Sequence, residues 1–345
     1  RWNYQSNRLF MEISKSIKTS SQLFKLSSLF LLVIVSVIVS LISGSADIGI
    51  GEIFDAFISP EKNETYSQII FNIRLPRILL AIGVGGGLSI AGAVFQSLLM
   101  NPLADPYILG VSSGGSFGAV LALFLGFSFL GVQIFSFVGS AAVIFLVFSI
   151  GHKYGKLQQN ILLLTGVMIG AFFGAAILLI ITLMNDTLRT AIFWLVGNLA
   201  MADSFSAYYV LLTSIIISLG LVLNSHKLNL LAMGDEDASN LGLNTKVIKT
   251  LIYLFASLLV GIIVSVSGVI GFVGLLIPHI TRLLFTADNR IVLPASFLIG
   301  ASFLILTDTL ARTIISPTEL PVGALTAIIG APIFIYLLKT KSSYH

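Results

Sequence analysis

Residues 73–106 read IRLPRILLAIGVGGGLSIAGAVFQSLLMNPLADP, and this stretch decides the fold class. Two arginines, Arg74 and Arg77, bracket a proline at its start, and the prolines Pro102 and Pro106 mark its end. The run between these ends carries no charged residue and is longer than the roughly 20 apolar residues that span a bilayer core. The stretch predicts a transmembrane helix with two permanent positive charges at its entrance.

The rest of the chain has the same character. Of its 345 residues 56% are hydrophobic and 10% are charged, and the mean hydropathy is +1.02. Soluble domains carry about 25% charged residues, and a soluble protein with so few charges could not cover its surface with polar groups. The composition therefore predicts a polytopic membrane protein. The absence of cysteine excludes disulfides, thiolate metal sites and a cysteine nucleophile.

Apolar runs between charged or turn-rich breaks predict an all-α fold with about ten transmembrane helices. Two pairs of runs are nearly continuous, so that counts of nine or eleven also fit. The ten runs lie near 26–43, 76–99, 107–126, 129–150, 160–184, 205–223, 247–268, 270–286, 294–311 and 321–338.

The distribution of positive charge supports ten helices with both termini cytoplasmic. With that topology 14 of the 19 Lys and Arg residues lie on the inner side. We therefore expect a cytoplasmic tail at 1–25, one transmembrane domain at 26–339 and a C-terminal tail at 340–345. A cleaved signal peptide is the alternative for the N-terminus, but the long basic region and the many later spans favour an uncleaved first helix. The five outer cations are Lys62, Arg74, Arg77, Arg189 and Arg312.

The sequence offers no catalytic, metal or nucleotide site. No two of the four histidines have the i, i+4 spacing of a zinc site, and no nucleophile elbow or P-loop occurs. The glycine run GVGGG at 83–87 lies inside an apolar span and lacks the Lys and Ser/Thr of a nucleotide loop. We expect a protein that is not an enzyme and binds no nucleic acid.

Asp308 is the clearest charge inside a predicted span. It lies four residues before Arg312, so that the two share one helix face. The residues leave a local ion pair and a proton relay open, although a relay needs several acids.

The longest polar inner connection is 224–246, and its centre predicts a short helix. Its acidic residues at 235–237 suit a helix N-terminus, Ala238 and Leu241 share one face, and Gly242 suits a C-terminal stop. Such a helix either docks on another protein or belongs to an ordinary solvated loop.

Two further features leave alternatives open. In NPLADP the prolines force extended backbone, and Asn101 and Asp105 can satisfy the freed backbone groups, so that the segment lines a pathway or makes a tight corner. Gly166, Gly170 and Gly174 repeat every four residues, which suits helix packing within one bundle, a subunit interface or a pathway.

Six separated motifs together resemble one family, the FecCD-type permeases of bacterial ATP-driven importers for iron chelates, haem and vitamin B12. The resemblance runs from about residue 25 to 339. The motifs are RLPRILLAIGVGGGLSIAGAVFQSLLMNPLADPYILGVSSGG, WLVGNL, NLGLNT, GFVGLLIPHITRLL, DNRIVLPASFLIGA and TDTLARTIISPTELPVGALTAIIGAPIFIYLLK. The chain is richer in glycine at 83–87 than the family pattern, and residues 1–20 match nothing in it.

The resemblance implies a BtuC-like permease fold of ten helices and a subunit of the bacterial inner membrane. It also implies four partners besides lipid: a second permease, either a copy or a paralogue, two cytoplasmic ABC ATPases and an extracytoplasmic substrate-binding protein. ATP and Mg would bind to the ATPase, and this chain would hold no cofactor. The expected cargo is an iron-siderophore complex, with haem or cobalamin as the alternative and an ion-coupled secondary transporter as the other class.

The resemblance also assigns roles to residues. Arg74, Arg77 and Arg312 would face outward as pockets for acidic residues of the binding protein, which arginine can hold in bidentate fashion; arginines that snorkel to lipid headgroups are the alternative. The coupling contact with the ATPase would comprise Asp237, Ala238, Leu241, Gly242 and Leu243. The translocation gate and channel would comprise Asn101, Leu103, Thr165, Gly166 and Gly170.

Overall fold

The computed structural model of the protein describes residues 22, 24–44, 48–59, 63–153, 156–185, 187–200 and 203–342. Within these ranges the fold is helical apart from two paired two-residue strands, β1 (His152–Lys153) and β2 (Lys156–Leu157). The helices are α1 (Phe24–Ile42), α2 (Ile50–Ile58), α3 (Glu64–Gln68), α4 (Leu75–Leu98), α5 (Val111–Phe124), α6 (Phe129–Gly151), α7 (Gln159–Leu183), α8 (Leu188–Leu195), α9 (Ser204–Leu223), α10 (Ser225–Leu231), α11 (Asp235–Asn240), α12 (Thr245–Ser267), α13 (Val273–Leu284), α14 (Asn289–Thr313) and α15 (Val322–Ser342).

The ten apolar runs predicted from the sequence each coincide with an apolar helix. Among the described residues eight helical segments are long and apolar enough to cross a membrane, and α5 and α13 are shorter apolar helices. The latter two have 14 and 12 residues, fewer than the roughly 20 that a straight span needs. The all-α fold is confirmed, whereas the number of crossings and the side of each terminus stay predictions. The predicted tails lie largely outside the described residues.

Helix α4 is the centre of the bundle. Of its 24 residues 21 are buried, and it packs against α9, α12, α13 and α14. Glycine makes these contacts close: a Cβ on Gly85 would collide with the carbonyl oxygen of Gly300, and one on Gly92 would collide with Gly274. Small residues that let backbones approach are the usual means of helix packing in lipid. The glycine run at 83–87 thus serves packing.

The entrance to α4 begins earlier than the predicted span of 76–99. Helix α3, a π-helical turn at Ile69–Arg74 and α4 form one continuous segment, Glu64–Leu98. Because Pro76 has no N–H to donate, the preceding backbone widens, and the N–H of Leu75 bonds to the carbonyl of Ile70 five residues back. Hydropathy placed the boundary too late because this turn carries Asn72 and the buried Arg74.

Three short helices between the spans, α2, α8 and α10, escaped the sequence reading. They have nine, eight and seven residues, too few to register as apolar spans. Helix α2 exposes the apolar side chains of Ile50, Phe54 and Ile58. Amphipathic helices of this length become visible only once the neighbouring helices are placed.

Candidate docking, gate and coupling sites

Arg74 closes the C-terminal end of α1. It is 3% exposed, and its Nη1 donates to the carbonyl oxygens of Leu41 and Ile42, the latter at 3.2 Å. These carbonyls have no partner inside the helix, and a cation at a helix C-terminus is favourable. A Cβ on Gly44 would collide with the guanidinium group. The buried Arg74 thus ties α1 to the entrance of α4.

Arg77 lies between two carboxylates that are far away in sequence. Its Nε and Nη2 donate to the carboxylate oxygens of Asp308 at 2.8 and 2.9 Å, a bidentate pair. Its Nη1 donates to Glu319 Oε2 at 2.7 Å. Arg77 and Asp308 are buried, whereas the Glu319 side chain is 43% exposed. Arg77 therefore has one buried and one partly exposed acidic partner.

Arg312 shares the buried carboxylate of Asp308 with Arg77. Its Nε lies 3.4 Å from Asp308 Oδ2, the i, i+4 pair that the sequence predicts as one alternative. Its Nη2 donates to Ser40 Oγ at 2.7 Å, so that α14 is also joined to α1. We call Arg74, Arg77, Asp308, Arg312 and Glu319 the outer charge cluster, after the side to which the charge distribution assigns it.

The structure differs from the expectation of guanidinium groups that face outward. Arg74, Arg77 and Arg312 are 3%, 7% and 7% exposed, and each has partners within the chain. Burial of a cation is tolerated only when opposite charge and hydrogen bonds compensate its lost hydration. The docking role stays a prediction, and Glu319 is the residue of the cluster that the sequence reading missed. A carboxylate two residues before Pro321, seven after Arg312, was the available signal.

The segment after α4 forms the corner that its prolines predict. Asn101 Oδ1 accepts from the N–H of Leu103 at 2.9 Å, and Asp105 Oδ1 accepts from the N–H of Tyr107 at 2.8 Å. Both side chains thus satisfy backbone groups, as expected. Leu103 is 45% exposed, and Asn101 lines a cavity of about 480 Å³ beside Arg282. Of the two predicted gate residues only Asn101 borders this cavity, and their gating role stays a prediction.

Helix α7 presents its glycine repeat unevenly. A Cβ on Gly166 would collide with the carbonyl oxygen of Ile108, so that this glycine serves close packing. Gly170 has only an ordinary contact, Gly174 faces open space, and Thr165 is partly exposed. Of the 25 residues of α7 only Leu162, Gly166 and Ile177 are buried. Of the three predicted channel residues on this helix, Thr165 and Gly170 are partly exposed and Gly166 is buried, and their channel role stays a prediction.

The coupling loop (224–246) contains two short helices, α10 and α11. Helix α11 ends at Asn240, and Gly242 follows with φ +85°, a conformation that suits glycine, as its predicted role as a stop requires. Ala238 is fully buried and Leu241 is 61% exposed, so that these two do not present a common contact face. Asp237 and Gly242 are exposed and Leu243 is partly buried. Met233, which precedes α11 and is 60% exposed, is a second exposed apolar side chain of the loop besides Leu241.

A network of hydrogen bonds joins the coupling loop to the spans. Asn229 Oδ1 accepts from both the backbone N–H and the side-chain amide of Asn289, each at 2.9 Å, and its amide donates to Asp288 Oδ1 at 2.6 Å. Asn289 Oδ1 accepts from Ser97 at 2.9 Å, and Arg282 Nη2 donates to Ser97 Oγ at 3.1 Å. We call these five residues the inner polar network. It connects α10 with α4, α13 and α14.

Asp288 stands at the solvent end of this network, at the N-cap of α14. Hydrogen bonds from the Arg290 side chain lower its pKa to about 2, against a smaller opposing effect of burial, and the amide of Asn229 adds to them. The carboxylate is therefore ionised throughout the physiological range, where it fixes the orientation of the Asn229 amide.

The family model of the FecCD transport family matches residues 32–340. An ABC transporter permease protein of Bacillus subtilis, YvrB, is 43% identical over 88% of this chain and 90% of its own length. The hemin transport system permease HmuU of Yersinia pestis is 39% identical over 90% of this chain and 94% of its own length. The solved inward-facing structure of a transporter assigned to the metal-chelate ABC type superposes with a TM-score of 0.83 at 34% identity, covering 91% of this chain and 98% of that one.

These matches extend over the outer charge cluster, α7, the coupling loop and the inner polar network alike. Together with the apolar helices they make the chain a multi-pass protein of the bacterial inner membrane. The chain belongs to the FecCD transport family and is a permease of an ABC importer.

Proposed function

We propose that the chain, with a second permease subunit, forms the pathway through which an iron-siderophore complex crosses the membrane. A substrate-binding protein delivers the complex from outside, and two ABC ATPases drive transport from inside. The observation that carries the choice of cargo is the exposed face of α7. This helix contains no Lys, Arg, Asp or Glu in 25 residues, and it is open around Gly170 and Gly174.

Such a face suits a large organic chelate. A siderophore surrounds its iron with its own ligands, so that the pathway needs no charged groups for the metal. A small oxyanion, in contrast, is bound in proteins by hydrogen-bond donors and cations. Relatives of the chain are named for hemin, molybdate, cobalamin, ferric citrate and ferric hydroxamate import. The uncharged face favours the chelates among these, and haem or cobalamin is the alternative cargo.

An ion-coupled mechanism is less well supported by the charges. Apart from Glu64 at the first residue of its span, Asp308 is the one acidic residue in the eight described spans. It is 2% exposed and is engaged by Arg77 and Arg312. A carboxylate whose oxygens are engaged by two arginine side chains fits a local ion-pair partner, the first of the two alternatives.

The experiment has two steps. The tagged chain is first purified from its native membranes in mild detergent, and we expect an ABC ATPase and a second permease to accompany it. The complex is then reconstituted in liposomes with its binding protein and supplied with ATP and either ferric hydroxamate, hemin, cobalamin or molybdate. ATP-dependent accumulation of ferric hydroxamate alone supports the cargo; accumulation of another compound replaces it. An ATPase-free oligomer that exchanges ions contradicts the function as a whole.

At the outer charge cluster we propose docking by exchange. Nη1 of Arg77 donates to Glu319, while its Nε and Nη2 donate to Asp308. A carboxylate of the binding protein would take the place of Glu319 without uncovering Asp308. Because Glu319 is partly exposed, its pair with Arg77 contributes little and can be given up at low cost.

The substitution Glu319→Gln tests this exchange because it removes the internal competitor. We expect the affinity for the binding protein to rise several-fold, with a steeper dependence on salt. Glu64→Gln is the control, since it removes the same charge from an exposed residue on the same predicted side. Equal effects of the two variants would assign the gain to overall charge and contradict the exchange, as would an unchanged affinity.

A further inference from the structure

A second open space lies between α9 and α12 and reaches the start of the coupling loop, at residues to which no role has been assigned above. This groove has a volume of about 320 Å³ and separates the C-terminal half of α9 from the N-terminal half of α12. Its walls are aliphatic and aromatic. They comprise Ile216, Ile217 and Leu221 of α9 with Ile248, Leu251, Ile252 and Phe255 of α12.

The groove opens sideways, toward the surface that faces lipid in a membrane-spanning bundle. Ile216, Leu251 and Phe255 at its rim are 67%, 44% and 49% exposed. A Cβ on Gly220 would meet nothing within 4 Å, so that the missing side chain of this glycine leaves part of the space empty. An apolar slot in a span, open to the bilayer, has the shape and polarity of a site for an acyl chain.

One end of the groove is basic. The amide of Asn224 donates to the carbonyl of Gly220 at 2.8 Å, and its Oδ1 accepts from Lys227 Nζ at 2.7 Å. This arrangement holds the ammonium group at the mouth of the groove. An ammonium group has three donors, and the neutral amide occupies one of them. Within the part of the chain that the structure describes, no carboxylate lies within ion-pair distance of Lys227.

We infer that the groove binds an anionic phospholipid, with an acyl chain along Gly220 and the phosphate group at Lys227. The charge distribution places this end of α9 on the inner side, where anionic headgroups attract basic residues and where basic pockets between helices bind them. The lysine selects the anionic headgroup, and the apolar walls select a lipid over a soluble phosphate. The headgroup end of the site belongs to the coupling loop, since Lys227 lies in α10.

Native mass spectrometry of the intact chain, in the complex in which it purifies, tests the inference. The probes are dioleoylphosphatidylglycerol, dioleoylphosphatidylcholine with the same acyl chains, and glycerol phosphate without any. We expect preferential retention of phosphatidylglycerol. The variant Lys227→Gln should weaken this binding about fivefold, as loss of one lysine–headgroup attraction implies. Gly220→Leu should weaken it by filling the groove. Because a Cβ at this position meets nothing within 4 Å, the variant should still fold.

Lys246→Gln is the matched control, because Lys246 is exposed on the same predicted side and does not line the groove. Equal retention of the two lipids, or wild-type binding by Lys227→Gln, would overturn the inference. Glycerol phosphate bound equally by the wild type and Gly220→Leu would indicate a soluble-phosphate site instead. A changed oligomeric mass of Gly220→Leu without preference for phosphatidylglycerol would assign the groove to a second protein copy.

Discussion

At its N-terminal end α4 contributes Arg77 to the outer charge cluster, whereas at its C-terminal end it contributes Ser97 to the inner polar network. The outer cluster is held mainly by full charges, and one of its members, Glu319, reaches solvent. The inner network is held mainly by amides and a hydroxyl in a fixed sequence of donors and acceptors.

The difference matches the proposed tasks of the two ends. An ion pair tolerates a change of partner as long as the charge is kept, so that the outer end can release one carboxylate for another. Amide hydrogen bonds depend on direction and distance, and a displacement of α10 therefore moves α14 with it. The first end is built for exchange and the second for transmission.

The largest effect should follow Asp308→Asn. This variant leaves Arg77 and Arg312 buried without their shared counter-charge, and we expect a loss of about 3–5 kcal/mol in stability. Thermal unfolding of the purified chain measures it. Glu319→Gln is the control, because its exposed pair should contribute about 1 kcal/mol or less. Unchanged unfolding of Asp308→Asn with lost transport would revive a proton relay and break the comparison.

An intermediate effect should follow Asn229→Ala. The variant removes the acceptor of two Asn289 donors, and unsatisfied buried donors cost about 1–3 kcal/mol each. We expect ATP hydrolysis to continue while cargo transported per ATP falls several-fold. Asn240→Ala, in an exposed position of α11, serves as the control. If both variants retain normal coupling, the inner polar network does not transmit the motion of the coupling loop.

A smaller effect should follow Gly242→Ala. The glycine has φ +85°, where an L-residue is strained by about 1–2 kcal/mol. We expect slightly lower thermal stability and partial uncoupling, because the end of α11 must shift. Gly51→Ala, where a Cβ meets nothing within 4 Å in α2, should be neutral or slightly stabilising. Identical behaviour of the two variants would show that the turn has no part in coupling.

The smallest effect on folding, within about 0.5 kcal/mol, should follow Leu241→Ser because the side chain is 61% exposed. Its effect on ATPase association should be large, about tenfold or more, if the leucine is buried in that contact. Quantitative co-purification of the ATPase measures it. Val247→Ser, exposed at the start of α12, is the comparison, and equal loss in both would argue against a specific contact of Leu241.

The sequence predicted what depends on neighbours along the chain. Apolar runs located the ten apolar helices, the four-residue spacing predicted the Asp308–Arg312 pair as one alternative, and Gly242 marked the end of α11. Partners at a distance were not predictable. Glu319 lies 242 residues after Arg77, and only the packing of the helices brings the two together.

The burial of individual side chains was likewise not predictable from residue spacing. Ala238 and Leu241 are three residues apart, a spacing that predicts a shared helix face, but Ala238 is fully buried whereas Leu241, at the C-cap of α11, is 61% exposed. The wide turn before α4 was missed for a related reason. Arg74 looked like a boundary of the membrane, although its charge is absorbed by the end of α1. A charged residue in a sequence therefore marks the end of a membrane span only when its side chain is solvated and not paired within the protein.

The outer charge cluster also sets an order of events during synthesis. Arg77 is made 231 residues before Asp308, an interval of roughly 10 to 50 s at about 5–20 residues per second. Until α14 follows, Arg77 has no counter-charge from its eventual partner, and α1 lacks the Arg312 bond that joins the two helices. Until then the charge of Arg77 is compensated by water, lipid headgroups or another protein. The Arg77–Asp308 pair can form only once α14 has been synthesised, so that the cluster is among the last parts of the bundle to be completed.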